Sequence, residues 1–117
     1  MHQPAWLSAP EEHDYPAALD YLDLLLVDEH STFLVDLLRD APVVVKKAKD
    51  ILRASELPLL DKSESHVAKD LAKVKGGIPL SPVLLVRFNP LVIADGYHRV
   101  CALYHLDPDT EVHCKLV

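Results

Sequence analysis

The 117-residue chain has few cysteines, few basic residues and no long apolar run. Its two cysteines, Cys101 and Cys114, are too few for a disulfide framework, so we expect reduced thiols in a cytoplasmic protein. It has 12 lysines and arginines against 18 aspartates and glutamates, and the net charge of −6 argues against direct DNA binding, which needs clustered positive charge. Apolar runs such as LDLLLV are too short to span a membrane, and we expect no signal peptide.

Sequence motifs of several enzyme classes are also missing. The chain has no Walker loop, no dinucleotide-binding fingerprint and no G-x-S-x-G nucleophile elbow. His98, Cys101 and His105 recur at helical spacing and His113-Cys114 follows, but no C-x-x-C or H-E-x-x-H spacing supports a zinc site. We therefore predict no metal site from these histidines and cysteines.

Half of the residues are hydrophobic, and their spacing predicts an α+β fold in two parts. Residues 1–42 predict a helical N-terminal extension. It comprises a tail or packed arm over residues 1–13, then two amphipathic helices that form a hairpin, the first with Leu25 and Leu26 on its apolar face. Ser31 is a good N-cap for the second helix. Residues 43–117 predict a small mixed sheet with packed helices.

The sequence of residues 43–117 predicts alternating strands and helices. A strand at residues 43–45 precedes a short helix at 49–55, and Ser63 or Ser65 can cap a further helix that ends at Gly76-Gly77. Residues 82–94 predict a β-hairpin, because Asn89-Pro90 suits a tight turn between two apolar runs. A helix then follows Gly96, and residues 111–117 predict a closing strand.

The junction ADGYHRVCALYHL, residues 94–106, places basic side chains where the strand gives way to the helix. The start of a helix has unpaired backbone N–H groups and a partial positive charge, and Gly96 lets an anion approach them. Arg99 adds a bidentate donor and His98 a second one, so the pattern indicates a phosphate site. The alternative is that Arg99 pairs with a structural carboxylate such as Asp95. Asp95 itself is predicted to cap the helix or to hold a metal ion.

Three segments resemble the ParB/sulfiredoxin superfamily. They are G-I-P-L-S-P-V-L-L-V, L-V-I-A-D-G-Y-H-R-V-C-A and E-V-H-C-K-L-V. In that superfamily a hairpin leads into a box, [DG]-G-x-x-R-x-x-A, that opens a helix, and Gly96, Arg99 and Ala102 match this box. The resemblance covers residues 43–117 and implies a ParB/sulfiredoxin-like fold.

The resemblance implies a nucleoside triphosphate ligand with Mg²⁺, its phosphates lying on the box. Sulfiredoxins use ATP to repair an over-oxidised cysteine, ParB proteins hydrolyse CTP as DNA clamps, and some relatives phosphorylate serine. Tyr97 stands where sulfiredoxins have their cysteine, which argues against sulfiredoxin activity. Asp61-Lys62-Ser63-Glu64 replaces the arginine motif of ParB, and the 117 residues contain no helix-turn-helix domain after the box, so we do not expect a DNA clamp.

The same resemblance adds candidates on the helix before the hairpin, where sulfiredoxins point polar side chains at the phosphates. The matching residues His66, Lys69 and Lys73 have i, i+3, i+7 spacing and so share one helix face, although an ordinary solvated face has the same pattern. The serine-kinase relatives use an acidic catalytic residue. The candidates for that role here are Glu56, Asp61 and Glu64, and the sequence does not choose among them. The predicted phosphate-binding residues are Gly96, Tyr97, His98, Arg99, His66, Lys69 and Lys73.

Two functions follow as hypotheses. In the first, the domain binds a nucleotide or another phosphate ligand at the DGYHR box, with phosphoryl transfer or nucleotide hydrolysis. In the second, it is a non-catalytic protein-interaction module whose N-terminal helices dock a second copy or another protein, with residues 24–27 as an apolar surface. An acidic side chain beside the box, from Asp95, Glu56, Asp61 or Glu64, would favour the first hypothesis.

Overall fold

A computed structural model of the protein describes residues 3–117. The fold is α+β, as the sequence predicts, and four strands form one mixed sheet. The elements are α1 (Asp14–Leu22), α2 (Asp28–Asp40), β1 (Val44–Lys47), α3 (Ala48–Ser55), α4 (Ser65–Lys75), β2 (Val83–Val86), β3 (Val92–Asp95), α5 (Tyr97–Leu106) and β4 (Glu111–Leu116).

The sheet has the strand order β1-β4-β2-β3. β2 and β3 form the predicted antiparallel hairpin, and β4 is the predicted closing strand. β4 lies between β1 and β2 and pairs antiparallel with the first and parallel with the second. The last strand in sequence therefore holds a central position in the sheet.

Helices cover both faces of the sheet, so β2 is buried throughout and reads as an unbroken apolar run. Val83 and Leu85 face a core shared with α3, α4 and α5. Leu84 and Val86 face the opposite way, into a core shared with α1 and α2. On that side the buried Lys115 of β4 donates a hydrogen bond of 2.7 Å to the carbonyl of Arg39, in the last turn of α2.

The N-terminal helices differ from the prediction at their boundaries. The expected apolar face of the first helix includes Leu25 and Leu26, but α1 ends at Leu22 and Leu25 is exposed. Ser31 is not an N-cap: it is buried within α2, and its hydroxyl donates to the carboxylate of Asp23. The helix starts earlier because acidic residues, Asp28 and Glu29, fill its first turn, where the helix dipole favours negative charge.

Residues 3–13 form a packed arm rather than a loose tail. Trp6 forms a β-bridge with Leu80, beside hydrogen bonds from Leu7 N to Leu80 O (2.9 Å) and from Leu80 N to Ala5 O (2.8 Å). The Trp6 ring stacks on His113 with a centroid separation of 4.8 Å. Residues 1–2 of the predicted arm lie outside the described residues. Across residues 3–117, no helix has the length and apolarity needed to cross a membrane.

Candidate functional site

Helix α5 begins at Gly96, where β3 ends. Gly96 has a φ of 110°, a left-handed conformation that side-chain-bearing residues rarely adopt. A Cβ at this position would lie 2.9 Å from Val83 Cγ2 and 2.9 Å from Arg99 Nη2. Both the backbone angle and the close packing therefore require glycine, and the sharp turn leaves the N-terminus of α5 beside the N-terminal half of α4.

A cavity of about 240 Å³ lies between α4 and the start of α5. Six of the seven sequence-predicted phosphate-binding residues line it, together with two aspartates. The seventh, Tyr97, does not line the cavity, because its hydroxyl donates to the carbonyl of Pro58. The lining residues are His66, Lys69, Asp70, Lys73, Asp95, Gly96, His98 and Arg99.

Arg99 is held in the wall of this cavity by carboxylates. Its Nη2 donates to Asp95 Oδ2 at 2.9 Å and lies 3.9 Å from Asp14 Oδ2. The pairing with Asp95 that the sequence offers as an alternative is therefore present. The buried Nε of Arg99 has no hydrogen-bond partner among residues 3–117. Arg99 is thus a fixed, largely buried positive charge.

Asp95 does not cap α5, contrary to the prediction. The N-cap is Gly96, and no side chain of the described residues accepts from the first turn. Burial raises the pKa of the Asp95 carboxyl above its ordinary value, while the Arg99 guanidinium acts in the opposite direction. Asp95 serves as the partner of Arg99 in this structure.

Asp70 lines the cavity but is missing from the sequence prediction. It lies one helical turn after His66 and next to Lys69, so an i, i+4 search from His66 would have found it. Within residues 3–117 it forms no ion pair, and burial raises the pKa of its carboxyl, against the effect of Arg99 and Lys73. Of the two carboxylates that line this cavity, Asp95 is paired with Arg99, whereas Asp70 is paired with no arginine or lysine of the described residues.

Glu64 caps α4, where Ser63 or Ser65 was predicted to do so. Its Oε2 accepts hydrogen bonds from the backbone N–H groups of His66 and Val67, both at 2.9 Å, and its Oε1 lies 3.0 Å from His66 Nδ1. The hydrogen bond with His66, followed by that from Val67, lowers the pKa of Glu64 to about 2. Ser63 does not take this role because its N–H and hydroxyl both donate to Asp61.

The other two acidic candidates, Asp61 and Glu56, do not line this cavity. Asp61 accepts hydrogen bonds from Ser63, and Glu56 lines a different and larger cleft of about 740 Å³ beside α3. This cleft also contains cations, but Lys49 pairs with Asp109 at 2.7 Å and Arg53 pairs with Asp50 at 3.2 Å. Its positive charge is therefore already compensated. The smaller cavity between α4 and α5 is the better anion site.

The histidines and cysteine at helical spacing in α5 do not come together. Cys101 is fully buried in the core, and burial raises the pKa of its thiol. His105 Nε2 lies 2.7 Å from the carbonyl of Leu60, and His98 lies at the opposite end of the helix, in the cavity. This set forms no metal site.

The resemblance to the ParB/sulfiredoxin superfamily rests on the quoted motifs alone. In the structure the residues that match the superfamily's box form the start of α5, and the helix before the hairpin is α4. No family model matches this chain, and no curated protein or solved structure matches it either.

Proposed function

We propose that the cavity between α4 and α5 binds the phosphate groups of a small-molecule ligand. The observation that carries this proposal is the convergence of six candidate ligands, from two segments far apart in sequence, on one cavity at a helix N-terminus. A nucleoside triphosphate with Mg²⁺ is the ligand that the ParB/sulfiredoxin resemblance suggests.

The charges around the cavity support an anionic ligand. Three cations, Lys69, Lys73 and Arg99, lie with two carboxylates, Asp70 and Asp95. Because Arg99 is already paired with Asp95, the two lysines remain to neutralise a ligand, and the N-terminal N–H groups of α5 add hydrogen-bond donors.

The size of the cavity limits which part of a nucleotide it encloses. About 240 Å³ lies below the roughly 300–1,000 Å³ of pockets that enclose drug-sized ligands. The phosphate chain therefore occupies the cavity, and the sugar and base lie outside it.

Phosphoryl transfer or hydrolysis is the reaction that this arrangement supports. Catalysis of such reactions depends on positioning and on stabilising charge on the phosphoryl oxygens, which the lysines provide. A general base must accept the proton of the attacking hydroxyl or water, and a raised pKa favours that role. Asp70 is the side chain we assign to it, since it lines the cavity and its pKa is raised by burial.

Calorimetric titration with ATP, CTP and GTP, each with Mg²⁺, tests the binding. Lys73→Ala should weaken the affinity for the preferred nucleotide at least about tenfold, because a charge-assisted contact is lost. Lys75→Ala is the matched control: Lys75 lies in the same last turn of α4, is exposed and does not line the cavity. Equal affinities of the two variants, or no binding by the wild type, would contradict the proposal.

Turnover separates catalysis from binding. Asp70→Asn removes the base and one negative charge, so nucleotide should bind as tightly as in the wild type or more tightly, while release of phosphate slows about 100-fold or more. Unchanged turnover would remove Asp70 from the reaction, and absence of turnover in the wild type would leave a binding domain.

A second function, a protein-interaction module, is favoured by exposed apolar side chains in the link between α1 and α2 and on α2 itself. Leu24, Val27 and Phe33 are 81%, 66% and 61% exposed. Exposed apolar side chains mark an interface when they form a contiguous patch on the surface. Sedimentation over a range of concentrations should then show self-association that Phe33→Ser weakens, and a monomeric wild type would argue against a homodimer.

A further inference from the structure

Three metal-ligating side chains meet at one end of the cavity. Glu64, His66 and His98 each offer one ligand atom, and these atoms all lie within 4.8 Å of one another. Glu64 and His66 come from the start of α4, and His98 comes from the first turn of α5. Sequence spacing does not reveal this cluster, because His98 lies far along the chain from the other two residues.

The distances between these ligand atoms approach those between the ligands of a bound zinc ion. Two ligands of a tetrahedral zinc ion, each at about 2.0–2.1 Å from the metal, lie about 3.3 Å apart. Glu64 Oε1 and His66 Nδ1 are 3.0 Å apart, and the rings of His66 and His98 have a centroid separation of 4.7 Å. The His66 side chain is 68% exposed, so it can rotate by the small amount needed to close the site.

The carboxylate is already oriented for this role. Glu64 Oε2 accepts the N–H groups of His66 and Val67, which fixes the plane of the carboxylate and leaves Oε1 directed toward the histidine. Ligands held in place by further hydrogen bonds lose little freedom when an ion binds, which strengthens binding.

We propose that Glu64, His66 and His98 bind a divalent transition-metal ion, with zinc as the best fit. Two imidazoles and one carboxylate with an open fourth position form the ligand set of many zinc sites, whereas Mg²⁺ prefers oxygen ligands alone. The site is therefore distinct from any Mg²⁺ carried by a nucleotide. It does not depend on the proposed function, because the three ligands stand whether or not the cavity binds phosphate.

Positive charge near the cluster opposes a cation. The N-termini of α4 and α5 point toward it, and Lys69 and Arg99 line the same cavity. The dipole effect of a helix is weak where solvent reaches it and falls off within one turn, so three coordinate bonds outweigh it. The same positive surroundings favour an anion, such as hydroxide or phosphate, as the fourth ligand of the metal.

Titration of the tag-free, full-length chain with Zn²⁺ and with Co²⁺ tests the site. The wild type should bind one equivalent, and bound Co²⁺ should show the intense visible absorption of a tetrahedral complex. His66→Ala and His98→Ala should each weaken Zn²⁺ binding about 100-fold or more, since even residues behind the ligands contribute 10–100-fold. Glu64→Gln should weaken it too, while its amide oxygen still accepts the cap hydrogen bonds.

His30→Ala is the matched control, because His30 is an exposed histidine on α2 that is absent from the cluster. It should bind Zn²⁺ like the wild type. Thermal unfolding without metal establishes that each variant folds, and added Zn²⁺ should raise the melting temperature of the wild type and of His30→Ala only. The proposal is overturned if the wild type binds neither ion, or if folded His66→Ala and His98→Ala retain wild-type affinity.

Discussion

At the scale of single residues, Gly96 is the position at which a methyl group should have the largest effect. Its left-handed backbone and its contacts with Val83 and Arg99 leave no room for a Cβ. Gly77 is the matched control, because its φ is also positive, at 72°, but no atom lies within 4 Å of a Cβ there. Gly77→Ala should cost about 1–2 kcal/mol in unfolding free energy through backbone strain alone.

Gly96→Ala should cost more, by about 1–3 kcal/mol, because overpacking adds to the strain. Urea unfolding of both variants measures the difference. Equal losses would mean that the wall of the cavity yields to the extra methyl group.

Also at the residue scale, the two cysteines should be unreactive in the folded protein. Both side chains are fully buried, and burial raises the pKa of Cys114 to about 11. Since the thiolate is the reactive form, iodoacetamide should label neither residue at neutral pH but both in denaturant. Mass spectrometry of labelled protein checks this, and rapid labelling of the native chain would show that the core opens readily.

At the scale of elements, the cap of α4 makes stability depend on pH. The folded pKa of Glu64, about 2, lies below its ordinary value of 4.5, so the ionised carboxylate stabilises the folded state. This contribution is complete above the ordinary value and is lost as the pH falls toward the folded one. The stability difference between wild type and Glu64→Gln should therefore shrink as the pH falls below about 4.5.

Urea unfolding over a pH series, with a chelator present, measures that difference. If it stays the same at low pH, the charge of Glu64 has no part in the cap.

Elements with local signals were predictable from the sequence, and those that depend on distant partners were not. The β2–β3 hairpin follows from its turn residues and the apolar runs on either side of them. The insertion of β4 beside β2 does not, because no local pattern encodes which strands pair. Ser31 was assigned wrongly because a serine that suits an N-cap also fits a buried hydrogen bond within a helix.

The candidate site shows the same division. Residues at the box and on one face of α4 were named from motif and spacing, and the structure brings six of them together. Asp70 was missed, as was the cluster of Glu64, His66 and His98, since that cluster exists only through the approach of two helix ends. The hydroxyl of Tyr97 leaves the site because the carbonyl of Pro58 offers it a partner elsewhere.

At the scale of the whole molecule, the N-terminal helices share a core with the sheet and should contribute to global stability. Leu38 of α2 is fully buried in that core, whereas its neighbour Leu37 is 40% exposed. Leu38→Ala should lower the unfolding free energy by about 2–5 kcal/mol, and Leu37→Ala should cost much less.

Denaturation followed by circular dichroism and by Trp6 fluorescence checks this prediction. One shared transition, shifted by Leu38→Ala, would show that the helices and the sheet unfold together. A separate early transition confined to the helical signal would show that the two parts are independent.

The central place of β4 also constrains how the chain can fold as it is made. β1 and β2 each pair with β4 and not with each other, so the sheet cannot close until residue 116 has left the ribosome. Until then the edge of β2 that pairs with β4 has no partner, and the helices have only a partial sheet on which to dock. The sheet therefore forms late relative to its first three strands, and until β4 emerges the unpaired strand edge is prone to aggregation.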